Sequence, residues 1–165
     1  MSKELYLIRH AKSSWEDSGG LADINRPLEL RGVRDAIRTG QHFRKKGIVL
    51  DKMISSNGIR ALHTATIMAK EMHLDSKKIE ICQDLYHADI EDFFKVLHGV
   101  DDHLERIALF SHNPGISDFA YQSGAELLQV STNGVLHYKV KVYSWKDLTF
   151  KDLEFLSYSK PKDLH

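Results

Sequence analysis

The sequence predicts a three-layer α/β fold with a mainly parallel central sheet. Three candidate strands, at residues 5–8, 49–54 and 107–110, each lead through a polar turn into a segment with helical periodicity. Such an alternation is typical of a parallel sheet covered by helices on both faces. The chain has 165 residues and no repeat, linker or low-complexity segment, so we expect residues 1–165 to form a single domain.

The composition is that of a soluble globular protein, with 42% hydrophobic and 28% charged residues. Lys+Arg and Asp+Glu both number 23, and the resulting net charge of zero gives no reason to expect nucleic acid or a membrane as partner. Cys82 is the only cysteine, which excludes an internal disulfide and suits a reducing compartment. No apolar stretch approaches the roughly 20 residues that span a bilayer, and no signal peptide is evident. We therefore expect a cytoplasmic protein, and the sequence leaves its oligomeric state open.

The first predicted strand, residues 5–8, ends in Arg9 and His10. Ligands of open parallel sheets bind beyond the carboxyl ends of the strands, where a cation and a nucleophile indicate an anion-binding site. The alternative is that both residues only end a strand at the surface. Trp15, in the polar loop that follows, could cover the site.

Two predicted helices flank the second strand. Residues 29–46 have apolar side chains three and four positions apart, and Gly47 is suited to end this helix. The second helix covers about residues 59–72, with Ser56 or Asn57 as its N-cap.

Arg60 lies in the first turn of this second helix. Free backbone N–H groups and the positive end of the helix dipole favour anions there. Because a cation at this position opposes the dipole, we expect Arg60 to face an anion and not to be a plain surface residue.

The third strand, residues 107–110, repeats the arrangement of the first, because it is followed by Ser111 and His112. Asn113 as N-cap and Pro114 at the first helical position predict a helix at about 115–122.

The remaining predicted elements are less directly connected to a site. Residues 79–82 are expected to form a short strand, and residues 90–97 a short amphipathic helix. The alternating residues 135–142 predict a strand with one solvent-exposed face, and residues 150–158 another edge strand.

The placement rule for parallel sheets brings Arg9, His10, Arg60 and His112 together in one site. Guanidinium groups match phosphate oxygens in bidentate fashion, and a neutral histidine can act as the nucleophile in phosphoryl transfer. The two arginines should help to keep His10 unprotonated and should repel a divalent cation. We therefore expect a phosphate site without a metal.

Three stretches of the chain resemble the signatures of the histidine phosphatase superfamily, the group with the phosphoglycerate-mutase-like fold. The stretches are Arg9-His10, residues 55–65 (SSNGIRALHTA) and residues 111–113 (SHN). The resemblance extends from about Glu4 to the C-terminal strands. The short chain and the sequence NRPL at residues 25–28 are most similar to the bacterial SixA-type phosphohistidine phosphatases.

This resemblance implies a mechanism in which His10 is the nucleophile and becomes transiently phosphorylated. Arg9, Arg26, Arg60 and His112 would hold the phosphoryl oxygens, and water would release phosphate. It implies neither a metal nor another cofactor, and its substrate would be a protein that carries phosphohistidine.

The chain departs from the family pattern at two places. Ala11 stands where the superfamily usually has glycine, and many members place a glutamate general acid where His87 stands here. His87 or Asp89 could replace that acid. An alcohol leaving group needs a proton, whereas an imidazole can leave phosphohistidine as a neutral ring, so a missing carboxylic acid favours P–N cleavage.

Two other functions remain open from the sequence. The first is a phosphatase for small-molecule phosphomonoesters or phosphoanhydrides, which a substrate panel would distinguish. The second is a phosphate-binding module without turnover. A mutase is less compatible, because Glu16 stands where mutases usually have an asparagine.

Overall fold

The computed structural model describes residues 2–14, 22–127 and 129–164. Its strands are β1 (Lys3–Arg9), β2 (Lys52–Ser55), β3 (Ile79–Ile81), β4 (Arg106–Ser111), β5 (Val135–Val140) and β6 (Leu153–Ser159). Its α-helices are α1 (Leu30–Lys45), α2 (Ile59–Glu71), α3 (Ile90–His98) and α4 (Gly115–Gln122). The predicted helices and strands are thus present, with boundaries that differ by a few residues.

The strands form one sheet in the order β3-β2-β4-β1-β5-β6. The first four of these are parallel, whereas β5 and β6 are antiparallel to their neighbours. Arg9 pairs with Ser111, and Ser55 pairs with Phe110 on the other side of β4. The three predicted buried strands are therefore adjacent, and their carboxyl ends meet at the same edge of the sheet.

The core lies on both faces of the sheet, because alternate residues of β1 point to opposite sides. Leu5 and Leu7 pack with side chains from α3 and α4, whereas Tyr6 and Ile8 pack with side chains from α1 and α2. The predicted α/β fold with three layers is confirmed. Among the described residues, no helix combines the length and the apolar character needed to cross a bilayer.

The helix starts differ from the sequence prediction in their capping residues. Gly58 is the N-cap of α2, and no side chain caps this helix. The Ser56 hydroxyl accepts a hydrogen bond from Gly58 N and contacts His112. Pro114 precedes α4, and the Asn113 side chain accepts from Ser117 N at 3.2 Å. The predicted end of α1 is confirmed, since Gly47 has a φ of +71°.

Candidate active site

The carboxyl ends of β1, β2 and β4 open onto a cavity of about 390 Å³. All five residues predicted to catalyse the reaction or to hold phosphate line it: Arg9, His10, Arg26, Arg60 and His112. They come from four separate parts of the sequence. The sheet order brings together the residues at the ends of β1, β2 and β4, whereas Arg26 follows a 3-10 turn between β1 and α1. Trp15, predicted as a cover for the site, lies outside the described residues.

His10 directs an unprotonated nitrogen toward Arg60. Its Nδ1 lies 2.7 Å from the Ala11 carbonyl oxygen, which can only accept, so Nδ1 carries the proton. Arg60 Nε donates to His10 Nε2 at 3.3 Å, so Nε2 is the unprotonated nitrogen of the ring. The imidazole therefore has the tautomer that a nucleophile at Nε2 requires.

Burial is the main cause of the neutral state of His10, and the predicted effect of the two arginines adds to it. Burial makes the largest contribution and lowers the pKa of His10 to about 3, while the hydrogen bond to Ala11 opposes it. The charges of Arg60 and Arg9 lower the pKa further but are smaller contributions. His10 is only 6% exposed, so desolvation lowers its pKa by more than its charged neighbours do.

Ala11, which replaces the usual glycine, is fully buried without disrupting the site. Its backbone N–H donates to Thr64 Oγ1 at 2.9 Å, and the Thr64 hydroxyl donates to the Arg60 carbonyl at 2.6 Å. The backbone that follows His10 is thereby connected to the first turn of α2.

Arg60 is buried in that first turn and uses three of its nitrogens as donors. Besides the bond from Nε to His10, Nη1 donates to the Asp23 carbonyl at 2.8 Å and Nη2 donates to Asp23 Oδ2 at 3.0 Å. A Cβ on Gly58 would lie 3.0 Å from His112 Cε1, so the glycine allows the start of α2 to approach His112 closely.

Asp23 is a site residue that the sequence analysis missed. Its Oδ1 accepts from Arg26 Nε at 3.0 Å, and its Oδ2 accepts from Tyr86 at 2.5 Å as well as from Arg60. The residue belongs to a single 3-10 turn, Asp23–Asn25, in a segment without periodicity. The available signal was the spacing of three residues between Asp23 and Arg26, which places the two side chains on one side of a turn.

His112 is held through its Nε2, which lies 2.7 Å from Ser56 Oγ. Since Ser56 Oγ already accepts from Gly58 N at 2.9 Å, its proton is available for His112 Nε2, and this arrangement favours the proton of the imidazole on Nδ1. That Nδ1 is buried and has no hydrogen-bond partner among the described residues. Burial, followed by the charge of Arg60, lowers the pKa of His112 to about 3, so the ring is neutral.

The two other arginines are anchored by neighbouring loops. Arg9 Nη1 donates to the Val130 carbonyl at 2.8 Å, and its Nε is buried without a hydrogen-bond partner among the described residues. Arg26 Nη1 donates to Ser13 Oγ at 2.9 Å. Arg9 Nε and His112 Nδ1 are thus two buried donors without partners among the described residues, and both belong to residues that line the cavity.

The two candidate acids have different positions. His87 lies at the cavity with its side chain exposed and a φ of +55°. Asp89 does not line this cavity: it caps α3, where its carboxylate accepts from Asp92 N at 2.9 Å. It faces a separate cavity of about 650 Å³. This corrects the expectation that Asp89 lies at the site, since the pattern of two aspartates three residues apart forms a capping box.

The cavity is electrostatically suited to an anion. Arg9, Lys12, Arg26 and Arg60 contribute positive charge, and Asp23 is the one carboxylate among the described residues that line it. Within the part of the chain that the structure describes, no three His, Cys, Asp or Glu side chains are grouped as metal ligands.

The sequence and the fold of the chain are similar to those of known proteins. Residues 5–129 match the model of the histidine phosphatase superfamily, branch 1. The chain is 31% identical over 115 residues to the uncharacterized protein ML1117 of Mycobacterium leprae, and this match covers 68% of each chain. It is 37% identical over 84 residues to the serine/threonine-protein phosphatase Pgam5 of Drosophila virilis, a match that covers 51% of this chain and only 28% of Pgam5.

Solved structures with the same fold include two SixA structures. SixA from Nakamurella multipartitia superposes with a TM-score of 0.83 and 18% identity, over 98% of this chain and 97% of the other. The protein histidine phosphatase SixA in complex with tungstate superposes with a TM-score of 0.81 and 15% identity, over 97% of this chain and 98% of the other. At these identities the likeness establishes the fold.

Proposed function

The chain belongs to the histidine phosphatase superfamily, branch 1, and from this membership we propose that it hydrolyses phosphohistidine in proteins through a phosphorylated His10. The family and the phosphatase class that the sequence predicted are confirmed by this match and by the shared fold. The phosphohistidine substrate, the residue roles and the independence from metal are the content of the proposal.

The orientation of His10 is the observation that carries the proposal. Nδ1 carries the proton and donates it in a hydrogen bond to the Ala11 carbonyl. Nε2 is therefore unprotonated, and its lone pair is directed toward Arg60. Phosphoryl transfer requires a nucleophile in line with the leaving group and positive charge around the transferred oxygens. Arg9 Nε and His112 Nδ1, both buried without partners among the described residues, are suited to bind those oxygens.

The reaction proceeds in two displacements. The Nε2 lone pair of His10 forms a bond to phosphorus, while the bond from phosphorus to the leaving group breaks and the leaving atom keeps its electron pair. The proton on Nδ1 stays in place, stabilised by the Ala11 carbonyl. Water then attacks phosphorus, the P–N bond to His10 breaks, the electron pair returns to Nε2, and the proton of the water passes to solvent.

The acid–base groups of the cavity favour a nitrogen leaving group. Burial raises the pKa of Asp23, but hydrogen bonds from Tyr86, Arg60 and Arg26 outweigh it and hold the pKa well below its usual range. Asp23 therefore stays ionised and cannot protonate an alkoxide. An imidazole that carries a proton on its other nitrogen needs no such acid, since it leaves phosphohistidine as a neutral ring.

A pair of peptides with the same sequence tests the substrate, one carrying phosphohistidine and the other phosphoserine at the same position. We expect a kcat/KM at least tenfold higher for the phosphohistidine peptide. The serine alkoxide must gain a proton as it leaves, whereas the imidazole can leave as a neutral ring. Spontaneous hydrolysis of phosphohistidine is subtracted with the His10→Ala variant. Faster turnover of the phosphoserine peptide would contradict the proposed substrate.

The role of His10 is tested by the same variant. His10→Ala should abolish turnover while inorganic phosphate still binds, because the arginines remain. His63→Ala is the matched control, since His63 is exposed on α2 and does not line the cavity. Turnover by His10→Ala at the wild-type rate would refute the mechanism. A wild-type chain that binds phosphate without turnover would instead identify a binding module.

Metal independence is tested by dialysis against EDTA. The guanidinium groups of Arg9 and Arg60 line the cavity together and disfavour a divalent cation beside them. We expect kcat to be unchanged after dialysis. A loss of activity that Mg²⁺ or Zn²⁺ restores would contradict this part of the proposal.

One observation favours small phosphomonoesters as a second candidate substrate class. His87 is exposed at the cavity, beside the ring of Tyr86, where an imidazolium could protonate an alcohol leaving group. If His87 has this role, His87→Gln should lower kcat for a phosphate ester and leave hydrolysis of phosphohistidine unchanged. Equal effects on both substrates would remove the support for this candidate.

A further inference from the structure

We propose that Asp23 is a positioning residue, which fixes the orientation of Arg60 and Arg26 for phosphoryl transfer at His10. This inference rests on the proposed function. It assigns a role to a carboxylate that stands, against simple electrostatic expectation, inside a cavity suited to an anion.

The contacts of Arg60 show how this positioning works. A guanidinium group has five N–H bonds in one plane, and its two terminal nitrogens form one edge while Nε and one terminal nitrogen form another. Asp23 contacts both terminal nitrogens with two oxygens of different kinds, its backbone carbonyl on Nη1 and its carboxylate on Nη2. The edge that contains Nε is directed toward His10 Nε2. A phosphoryl group on that nitrogen would therefore meet an oriented donor edge.

The same carboxylate connects the second arginine and the loop before α3. Asp23 Oδ1 accepts from Arg26 Nε, and Oδ2 accepts from the Tyr86 hydroxyl. The Tyr86 ring in turn packs edge-on against His112, with ring centroids 5.3 Å apart. Asp23 thus connects Arg60 and Arg26, which line the cavity together with His10, to Tyr86, which packs against His112.

A competing interpretation is that Asp23 mimics the substrate and blocks the empty site. A blocking carboxylate would be expected on the edge of Arg60 that faces His10, where the phosphoryl group must bind. The Asp23 carbonyl accepts from Nη1, the terminal nitrogen that does not share an edge with Nε, and an incoming anion does not replace this backbone contact. The geometry therefore favours positioning over competition.

The two interpretations predict opposite kinetics for Asp23→Asn. If Asp23 positions the arginines, kcat should fall about 10- to 100-fold, because misplaced groups stabilise the transition state less. The KM should not rise, because the removal of a negative charge favours an anionic substrate. If Asp23 only competes, kcat should be unchanged or higher and KM should fall, and this result would overturn the proposal.

Two further variants separate positioning from general damage. Tyr86→Phe removes one hydrogen bond to the carboxylate and should lower kcat in the same direction but by less. Asp75→Asn makes the same chemical change in another turn-capping carboxylate, which accepts from Lys77 N and does not line the cavity, so it should leave kcat unchanged. An equal loss of kcat in Asp75→Asn would contradict a specific role for Asp23.

A binding measurement tests Asp23 independently of turnover. Bound orthovanadate can form a five-coordinate adduct with a nucleophile, which resembles the transition state, whereas inorganic phosphate resembles the product. In Asp23→Asn we expect vanadate to bind about tenfold or more weakly and phosphate at least as tightly as in the wild type. A wild-type chain without turnover would refute the proposed function and leave this comparison valid. Equal weakening of both anions, or of neither, would refute the role of Asp23.

Discussion

At the residue scale, two hydrogen bonds decide the chemistry of the two histidines in the site. The Ala11 carbonyl holds the proton of His10 on Nδ1, and the Ser56 hydroxyl favours the proton of His112 on its own Nδ1. His10 is therefore an acceptor at Nε2, while His112 is a neutral donor. The two histidines thus differ in hydrogen-bonding role, one as acceptor and one as donor, because their hydrogen-bond partners differ.

The role of Ser56 can be tested by its removal. Ser56→Ala takes away the group that fixes the tautomer of His112, so we expect kcat to fall about tenfold or more. The reason is that His112 then presents a lone pair toward the phosphoryl oxygens for part of the time. Steady-state kinetics with the phosphohistidine peptide measure this loss.

Ser55→Ala is the control for the loss of a buried hydroxyl next to the site. Ser55 is as buried as Ser56, but its hydroxyl donates to the Ser56 carbonyl, whereas the hydroxyl of Ser56 is the one that bonds to His112. Unfolding by urea should show a similar loss of stability in both variants. A fall of kcat in Ser55→Ala as large as in Ser56→Ala would attribute the effect to the backbone and not to the tautomer.

The sequence predicted the residues of this site better than their interactions. Arg9, His10, Arg60 and His112 follow from strand ends, since that rule depends only on local patterns. The contacts of Asp23 depend on how a loop without periodicity folds across the sheet edge, which no local pattern encodes. For the same reason, the sequence did not reveal that Asp89 caps a helix outside the cavity.

At the element scale, the backbone at the start of α4 lies very close to the backbone of the loop before α3. A Cβ on Gly115 would lie 2.0 Å from the Ala88 carbonyl oxygen and 3.1 Å from Phe93. Gly115 is the first residue of α4 and follows His112 by three positions, while Ala88 follows Tyr86 by two. This contact therefore sets the distance between two elements that border the site.

Gly115→Ala should disrupt that contact, because neither backbone can move without shifting an element. We expect a loss of about 1–3 kcal/mol in the free energy of unfolding, as is usual for overpacking, together with reduced kcat. Gly99→Ala is the control, since a Cβ at this helix end would have its nearest neighbour at 3.6 Å and should change stability by less than about 0.5 kcal/mol. Urea denaturation of both variants measures the difference, and equal stabilities would show that α4 adjusts freely.

At the scale of the whole molecule, the sequence was sufficient to predict the three layers of the fold but not the boundary of every strand. Apolar runs such as residues 107–110 are buried on both faces, so their identity as central strands is evident from composition alone. The start of β2 was misplaced, because Val49 is apolar but 59% exposed and the strand begins at Lys52. Whether an apolar side chain is covered at a strand end depends on its tertiary neighbours.

The burial of two neutral histidines makes the stability of the whole fold depend on pH. The pKa of His10 and that of His112 are lowered from 6.5 to about 3, mainly by burial. Between these values the unfolded chain binds protons that the folded chain does not. The free energy of unfolding should therefore be unaffected by these groups above pH 6.5 and decrease as the pH falls toward 3.

Each of these histidines contributes a slope of at most about 1.4 kcal/mol per pH unit in this window. We expect His112→Gln to lose stability less steeply than the wild type between pH 6.5 and 4, because glutamine does not titrate. Urea denaturation at several pH values measures the slopes, and His63→Gln, which replaces an exposed histidine on α2, is the matched control. The same slope in His112→Gln and His63→Gln would mean that His112 is protonated in the folded protein. That result would also remove the neutral donor that we infer for the phosphate site.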